Sequence, residues 1–319
     1  MKNSKSIIAG ILLSTFFHQL YGQGCSDAGF CTMGAMKPDQ AYNKKVELKL
    51  RSVEVSYYQG KTTLSPIVRV LGIDATVGIG ENMTFQLKLP YQMVSGSFSN
   101  TAGLGDISLS LTKRLIDTDN FDFSATVGGK IPSNKSDLTS NGKKIEGSEG
   151  LVLPMYYQTS LGSYDLVAGA SLLSSKWLFA TGIQMALSAN DNTFRQSEWV
   201  PIYPSEDYVR SYPLATRLKR GTDIMFRAER NFRFTRYSFN AGLLAICRVN
   251  KDRIEAVNGY YKVAGTTGWA ITFLAGFNYN ININSAVKVS YGKKLTDREV
   301  NPDGLTRHSV MTIGYLFRF

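Results

Sequence analysis

Residues 307–319 read Arg307-His-Ser-Val-Met-Thr-Ile-Gly-Tyr-Leu-Phe-Arg-Phe319, and the spacing of the apolar residues in this stretch decides the fold. Side chains alternate sides along an extended chain, so Ser309, Met311, Ile313, Tyr315, Phe317 and Phe319 share one face. His308, Thr312, Gly314 and Arg318 fall on the other, with Val310 and Leu316 as exceptions. The same period of two recurs upstream. Leu71, Ile73, Ala75, Val77 and Ile79 alternate with Asp74, Thr76 and Gly78, and Phe85, Leu87, Leu89 and Tyr91 with Gln86, Lys88 and Gln92. Tyr237, Phe239, Ala241, Leu243 and Ala245 share a face, as do Trp269, Ile271, Phe273, Ala275, Phe277 and Tyr279. These runs are ~10 to 13 residues long, the length a tilted strand needs to cross a bilayer, whereas strands of soluble proteins average ~5 to 6. Aromatic residues stand near the run ends (Tyr91, Phe121, Tyr237, Trp269, Tyr279), and the opposite faces carry Ser, Thr, Asn, Gly and mixed charge. Only a closed barrel satisfies the backbone of such strands in lipid. The pattern therefore predicts an all-β, transmembrane antiparallel β-barrel; a secreted soluble β protein is the competing reading.

Composition narrows the choice. Of 319 residues, 43% are hydrophobic, 12% aromatic and 19% charged, with 29 Gly against 9 Pro. A disordered chain needs low hydrophobicity and high charge, and is excluded. A mean hydropathy of −0.13 excludes a polytopic helical membrane protein, which needs several apolar runs of ~20 residues. Alternation accounts for the near-zero average, since half of each strand faces lipid and half a polar interior.

Residues 1–22 read as a signal peptide: Lys2 and Lys5, an apolar stretch from Ile7 to Phe17, then Tyr21-Gly22 before Gln23. Of the formal charge of +11, these two lysines leave with the leader, so the mature chain carries +9. In an exported chain that charge points to a solvated surface facing anionic headgroups, not to nucleic acid. Cys25 and Cys31 then meet an oxidising compartment, where a disulfide between them is the default; lipidation of Cys25 is the alternative. Residues 23–44 form an N-terminal segment that either plugs the lumen or extends outside it, and 45–319 form the barrel.

Thirteen segments read as strands: 45–58, 67–80, 83–93, 104–115, 121–132, 151–161, 164–174, 177–189, 219–231, 236–248, 266–279, 285–294 and 307–319. With both chain ends on one side of the membrane the number must be even. Short connections alternate with long ones except between 164 and 218, so the favoured repair is an extra strand around Thr193–Tyr203. That gives fourteen strands, with twelve as the alternative.

Little in the sequence points to catalysis. His308 is the one histidine left after the leader, and it sits next to Ser309 on a strand, where neighbours point to opposite faces. Gly103-Leu-Gly-Asp106 and Gly265-Thr-Thr-Gly268 lack the helix that a phosphate loop requires. We expect no enzyme, no cofactor and no metal site. On the inner face, Asp74, Lys88, Asp106, Asp122, Lys130, Arg227, Glu229, Arg248, Lys288 and Arg318 are expected to form a lumen charge network, either structural or lining a polar path.

The last strand, with Tyr315, Phe317 and a final Phe319, resembles the C-terminal signal of bacterial outer-membrane barrels, which implies partnership with the barrel-assembly machinery and outer-membrane lipid. Gly103-Leu-Gly-Asp-Ile107 resembles the phenol-degradation meta-pathway outer-membrane family, itself similar to long-chain fatty-acid transporter barrels with fourteen strands and an N-terminal plug. Lys88-Leu-Pro-Tyr-Gln92, Gly129-Lys-Ile-Pro132 and Leu218-Lys-Arg-Gly-Thr-Asp223 fit the same pattern, and the Gln23 start and Tyr- and Asn-rich strands resemble Bacteroidetes sequences. The resemblance implies passive uptake of small solutes, hydrophobic ones among them, across the outer membrane of a Gram-negative bacterium, with loops 190–218 and 249–265 at the mouth. The short cysteine-bearing N-terminal segment departs from the fatty-acid transporters. The other expected roles are, in order, a structural or surface-interaction barrel without transport and an outer-membrane enzyme.

Overall fold

A computed structural model of the chain describes residues 32–37, 50–256 and 259–319. The barrel wall runs through β1 (Leu50–Thr62), β2 (Ile67–Ile79), β3 (Met83–Ser95), β4 (Asn100–Leu104), β5 (Ile107–Asp117) and β6 (Phe121–Ile131). It continues through β7 (Asp165–Ser174), β8 (Trp177–Ala186), β9 (Asp223–Arg233) and β10 (Tyr237–Arg248). A separate hairpin of β11 (Arg253–Ala256) and β12 (Gly259–Lys262) precedes β13 (Gly268–Asn280), β14 (Ser285–Lys294) and β15 (Arg307–Arg318). Every pairing is antiparallel, and β1 closes the ring by pairing with β2 on one side and β15 on the other, with Tyr57 opposite both Leu71 and Ile313. Because β4 and β5 occupy one position in the wall, the barrel has twelve strands.

Twelve, the lower of the two expected counts, corrects the preference for fourteen. Residues 151–161 do not form a strand: around a 3-10 turn at Met155–Tyr157 almost every side chain from Leu153 to Leu161 is buried, so the segment lies inside the mouth. A wall strand must expose alternate residues to lipid, and this one exposes none. Nor is there a strand at Thr193–Tyr203. Thr193 N and Oγ1 donate to Asp137 at 2.8 and 3.0 Å, and a short helix at Gln196–Trp199 turns Trp199 inward.

The exterior is the lipid-facing band that the alternation required. Leu71, Ile73, Val127, Phe179, Phe226, Leu243, Phe273 and Ile313 point outward. At the short-turn end, Trp177 stacks on Phe179, Phe234 on Tyr237, and Phe317 meets Phe319 edge to face. Arg230 lays its guanidinium 5.0 Å from the Trp177 ring, a cation–π contact at the level where a cation reaches water. A shallow outward furrow of about 510 Å³ between Phe123, Leu172, Phe179, Phe226 and Leu243 is floored by Ala170, Ala228 and Ala245.

Two of the sequence motifs meet in one wall irregularity. β3 pairs with β5 up to Lys88–Ser108 and then with β4 from Tyr91–Leu104. The switch falls at Pro90, which has no N–H to give the ladder, and Gly105 N donates instead to Pro90 O at 2.7 Å. A Cβ on Gly105 would lie 3.1 Å from Pro90 Cγ and 3.2 Å from Thr159 O. The bulge turns Asp106 inward, where it accepts from Ser160 Oγ at 2.5 Å and Leu161 N at 3.1 Å. Gly-Leu-Gly-Asp is thus the bulge that fastens the inward-folded segment 151–161 to the wall.

Candidate functional site

The interior is built in three levels. In the short-turn half, residues 32–37 lie in the lumen against β3 and β5–β8. Gly34 N donates to Gln86 Oε1 at 2.7 Å and Ala35 N to Thr126 Oγ1 at 2.9 Å, while Arg227 Nη1 donates to Met36 O at 3.0 Å. Lys37 Nζ spans Glu54 of β1 at 3.1 Å and Asp74 of β2 at 2.9 Å. Burial alone would lower the Lys37 ammonium, but the Glu54 and Asp74 carboxylates outweigh it and hold it above its ordinary value. Met33 and Met36 pack with Val167, Ala180, Met225 and Leu244. The wall makes room for them with glycine: a Cβ on Gly169 would come 2.4 Å from Met36 Sδ, and one on Gly128 3.0 Å from Met33 Cε.

From this seat an unbroken cross-strand row climbs the inner wall: Glu54, Asp74, Lys88, Ser108, Lys130 and Asp165, each in register with the next. Barrel strands tilt, so a row perpendicular to them rises along the axis. It starts near the short-turn end of β1 and finishes at the long-loop end of β7. There it joins a ring of buried ion pairs. Arg220 Nη2 donates to both Asp165 oxygens, at 2.6 and 2.5 Å. Arg248 holds Asp223 at 2.6 Å, Asp252 at 2.9 Å and Asp303 at 3.0 Å. Burial alone would raise the Asp303 carboxyl; Arg248, Arg298 and Arg220 outweigh it and hold it below the usual carboxylate range. Gly221 N donates to Asp252 Oδ1 at 2.7 Å, and a Cβ there would sit 1.9 Å from Asn250 O, which accounts for the glycine in Leu218-Lys-Arg-Gly-Thr-Asp223.

Above the ring the long-loop mouth is capped by aromatic rings. Phe98 lies 4.5 Å from Trp199, 4.8 Å from Tyr203, 5.0 Å from Tyr212 and 5.6 Å from Tyr157, centroid to centroid. The tyrosine hydroxyls converge on Ser65: Tyr208 donates to it, and Tyr212 and Tyr157 lie 3.3 and 3.4 Å away. Burial pushes the Tyr157 hydroxyl up to about 12 and raises Tyr212 as well. Between cap and ring, Tyr58, Val68, Tyr156, Thr159 and Arg307 line a cavity of about 20 Å³. Beside Lys37, another of about 50 Å³ is lined by Glu54, Asn240, Lys288, Ser290 and Thr312. Each has room for one or a few waters and not for an organic solute.

All ten expected interior residues can be placed. Asp74, Lys88 and Lys130 stand in the climbing row, with Lys130 1% exposed and its Nζ without a hydrogen bond among the described residues. Asp106 fastens the bulge, and Arg227 binds Glu229 at 2.5 Å beneath the N-terminal segment. Arg248 centres the ring, and Lys288 reaches Glu54 at 3.4 Å. Asp122 and Arg318 stand at the short-turn rim; Arg318 Nη1 donates to Asn280 Oδ1 at 3.5 Å. Tyr315, Phe317 and Phe319 point outward. Residues 1–22, read above as a leader, and Cys25 and Cys31 lie outside the described residues. His308 Nε2 meets Lys293 Nζ at 2.9 Å. Sequence reasoning missed Glu54, Asp165, Arg220, Asp223, Asp252 and Asp303, several of them in loops where strand alternation gives no signal.

No family model matches this chain, and no curated protein does. Among solved structures, an outer-membrane channel from Pseudomonas putida F1 is similar, with a TM-score of 0.58 and 16% identity over 88% of this chain and 99% of that one. The monoaromatic hydrocarbon channel CymD gives a TM-score of 0.39 at 11% identity, over 94% of this chain and 98% of that one. A FadL homologue from Pseudomonas aeruginosa gives 0.37 at 11% identity, over 84% and 89%. The likeness to the first is one of fold.

Proposed function

We propose that the barrel sits in the outer membrane of a Gram-negative bacterium and passes small solutes by diffusion, in a state closed here from both ends. The observation that carries this reading is the seat of residues 32–37. They fill one side of the lumen through separable polar contacts, while the wall opposite keeps Asn240, Lys288, Ser290 and Thr312 facing a cavity. A purely structural interior has no need of a separate segment docked on a glycine-cut wall. The solutes that suit a cap of aromatic rings over a charged inner wall are small molecules with an aromatic or apolar body and a polar group. Leader cleavage near Gly22, and insertion guided by Tyr315, Phe317 and Phe319, belong to the same reading.

A sealed structural barrel is the second reading, favoured by the three carboxylates around Arg248. Catalysis is the weakest, since His308 meets a lysine and not a serine hydroxyl. Liposome swelling with and without residues 23–44 separates the first two. We expect the deletion to raise solute uptake at least tenfold. If neither protein passes any solute while both remain folded barrels, the transport reading fails.

A further inference from the structure

At the long-loop end, residues 216–219 pair with β11, so that with β12 they make a small three-stranded sheet outside the wall. Lys219 N donates to Arg253 O at 2.8 Å, Arg253 N to Lys219 O at 2.9 Å, and Glu255 N to Thr216 O at 2.9 Å. One face is apolar and buried: Leu218 and Ile254 pack with Met155, Leu161 and Ala215 over the mouth. The other face is exposed, and on it Lys219, Arg253 and Lys262 stand in register, one directly across from the next. Cross-strand neighbours have Cβ atoms ~5 Å apart, and like charges so placed destabilise a sheet. The face has one carboxylate, Glu255, which is taken by Arg217 at 3.0 Å. Among the described residues no carboxylate comes within 4.0 Å of the three cations.

The height of this row identifies what it faces. Lys219 Nζ donates to Leu187 O at 3.4 Å, and Leu187 is a 57% exposed apolar residue just past the upper end of β8. Val249, just past β10, and Trp269, near the start of β13, are 45% and 51% exposed and mark the same end of the wall. The three cations therefore sit immediately above the apolar band, facing away from the barrel axis, at the level of lipid headgroups. We infer that Lys219, Arg253 and Lys262 form a binding surface for the phosphate groups of an outer-leaflet lipid headgroup. Arg253, in the middle, can grip a phosphate with two parallel N–H donors while the flanking ammonium groups add charge. Tyr260 continues the same face beside Lys262 and offers a ring to a sugar that bears the phosphate. The lipid in turn relieves the repulsion within the row.

The inference rests on the outer-membrane placement in the proposed function, with the long loops outside as in other such barrels, and not on solute passage. The test uses the full chain folded in neutral detergent. Its binding to phosphorylated lipid A is compared with binding to the dephosphorylated lipid and to inorganic pyrophosphate. We expect preference for the phosphorylated lipid, screened by salt. In the variant carrying Lys219→Gln, Arg253→Gln and Lys262→Gln, affinity should fall on the order of 100-fold, since each basic side chain near an anionic surface contributes several-fold. The three side chains are exposed, so the variant keeps its barrel, checked by heat-modifiable migration. Unchanged affinity in that variant overturns the inference, as does equal binding of the dephosphorylated lipid. Pyrophosphate bound as tightly as the lipid overturns the assignment to a lipid. A barrel that binds the lipid as expected but passes no solute overturns the transport reading alone.

Discussion

Gly34→Ala tests whether the N-terminal segment is held as the geometry says. Gly34 has φ of 51°, a left-handed conformation that costs other residues roughly 1–2 kcal/mol. Its Cβ would also lie 2.5 Å from both Thr112 Oγ1 and Thr126 Cγ2. These atoms stand on wall strands and are themselves tied, Thr112 to Thr126 at 2.7 Å, so they do not yield freely. Overpacking of this kind costs about 1–3 kcal/mol. The sum is about 2–5 kcal/mol, which shifts the balance between seated and unseated segment by roughly 30- to 4,000-fold at about 1.4 kcal/mol per tenfold. Gly80→Ala is the control: its φ is 63°, but nothing lies within 4 Å of the added Cβ, so it carries the backbone cost without the clash. Hydrogen exchange of the Gly34 and Ala35 amides, which donate to Gln86 and Thr126, reads seating directly, and planar-bilayer conductance reads its consequence. Exchange should accelerate by at least tenfold and conductance rise in the Gly34 variant alone. Unchanged amide protection in a folded Gly34→Ala barrel would refute the argument.

Further outcomes concern the two outer levels. Asp303→Asn removes a carboxylate from the Arg248 and Arg298 guanidinium groups, 3.0 and 3.6 Å away, and leaves buried cations short of a partner. Breaking a buried pair this way costs about 3–5 kcal/mol, so the loop at 295–306 should become protease-sensitive and the melting temperature should fall. A carboxylate held below its unfolded value of 3.8 stabilises the fold fully above that pH, and the contribution is lost as pH falls through the lower folded value. Proteolysis of that loop should therefore stay slow from neutrality down to pH 3.8 and accelerate only in stronger acid; acceleration already near neutrality would contradict it. Phe98→Ala empties the centre of the aromatic cap, at about 3–5 kcal/mol for a buried phenylalanine, and should speed solute uptake in the protein lacking residues 23–44 more than in the full chain. Equal effects in both would mean the cap is not in series with the segment.

The legible part of this protein was its wall. Residues 307–319, 67–80 and 266–279 alternate, with exceptions such as Val310 and Leu316, because lipid on one side and polar interior on the other impose a period of two, and each contains a strand with the expected face outward. Segment 151–161 misled for a physical reason. Its apolar residues also recur at short spacing, yet it is buried on all sides, and alternation has nothing to say about a chain with no lipid-facing side. The interior residues on strands, such as Lys88, Lys130 and Arg248, could be assigned a face. Their partners could not, since Asp252 and Asp303 arrive from loops and Lys37 from a segment far from Glu54 in the chain.

By itself, the sequence determined that this is a barrel, roughly how many strands it has, and which face of the regular strands turns outward. Those conclusions need only the alternation of side chains and the backbone's demand for hydrogen bonds in lipid, both local or generic. Tertiary structure alone decided that twelve strands close the ring, that residues 32–37 sit inside it, and that Glu54, Asp74, Lys88, Ser108, Lys130 and Asp165 form one rising row. Register is the reason. Shifting any strand pair by two residues would leave every face as the sequence has it, yet would separate each charge from its partner.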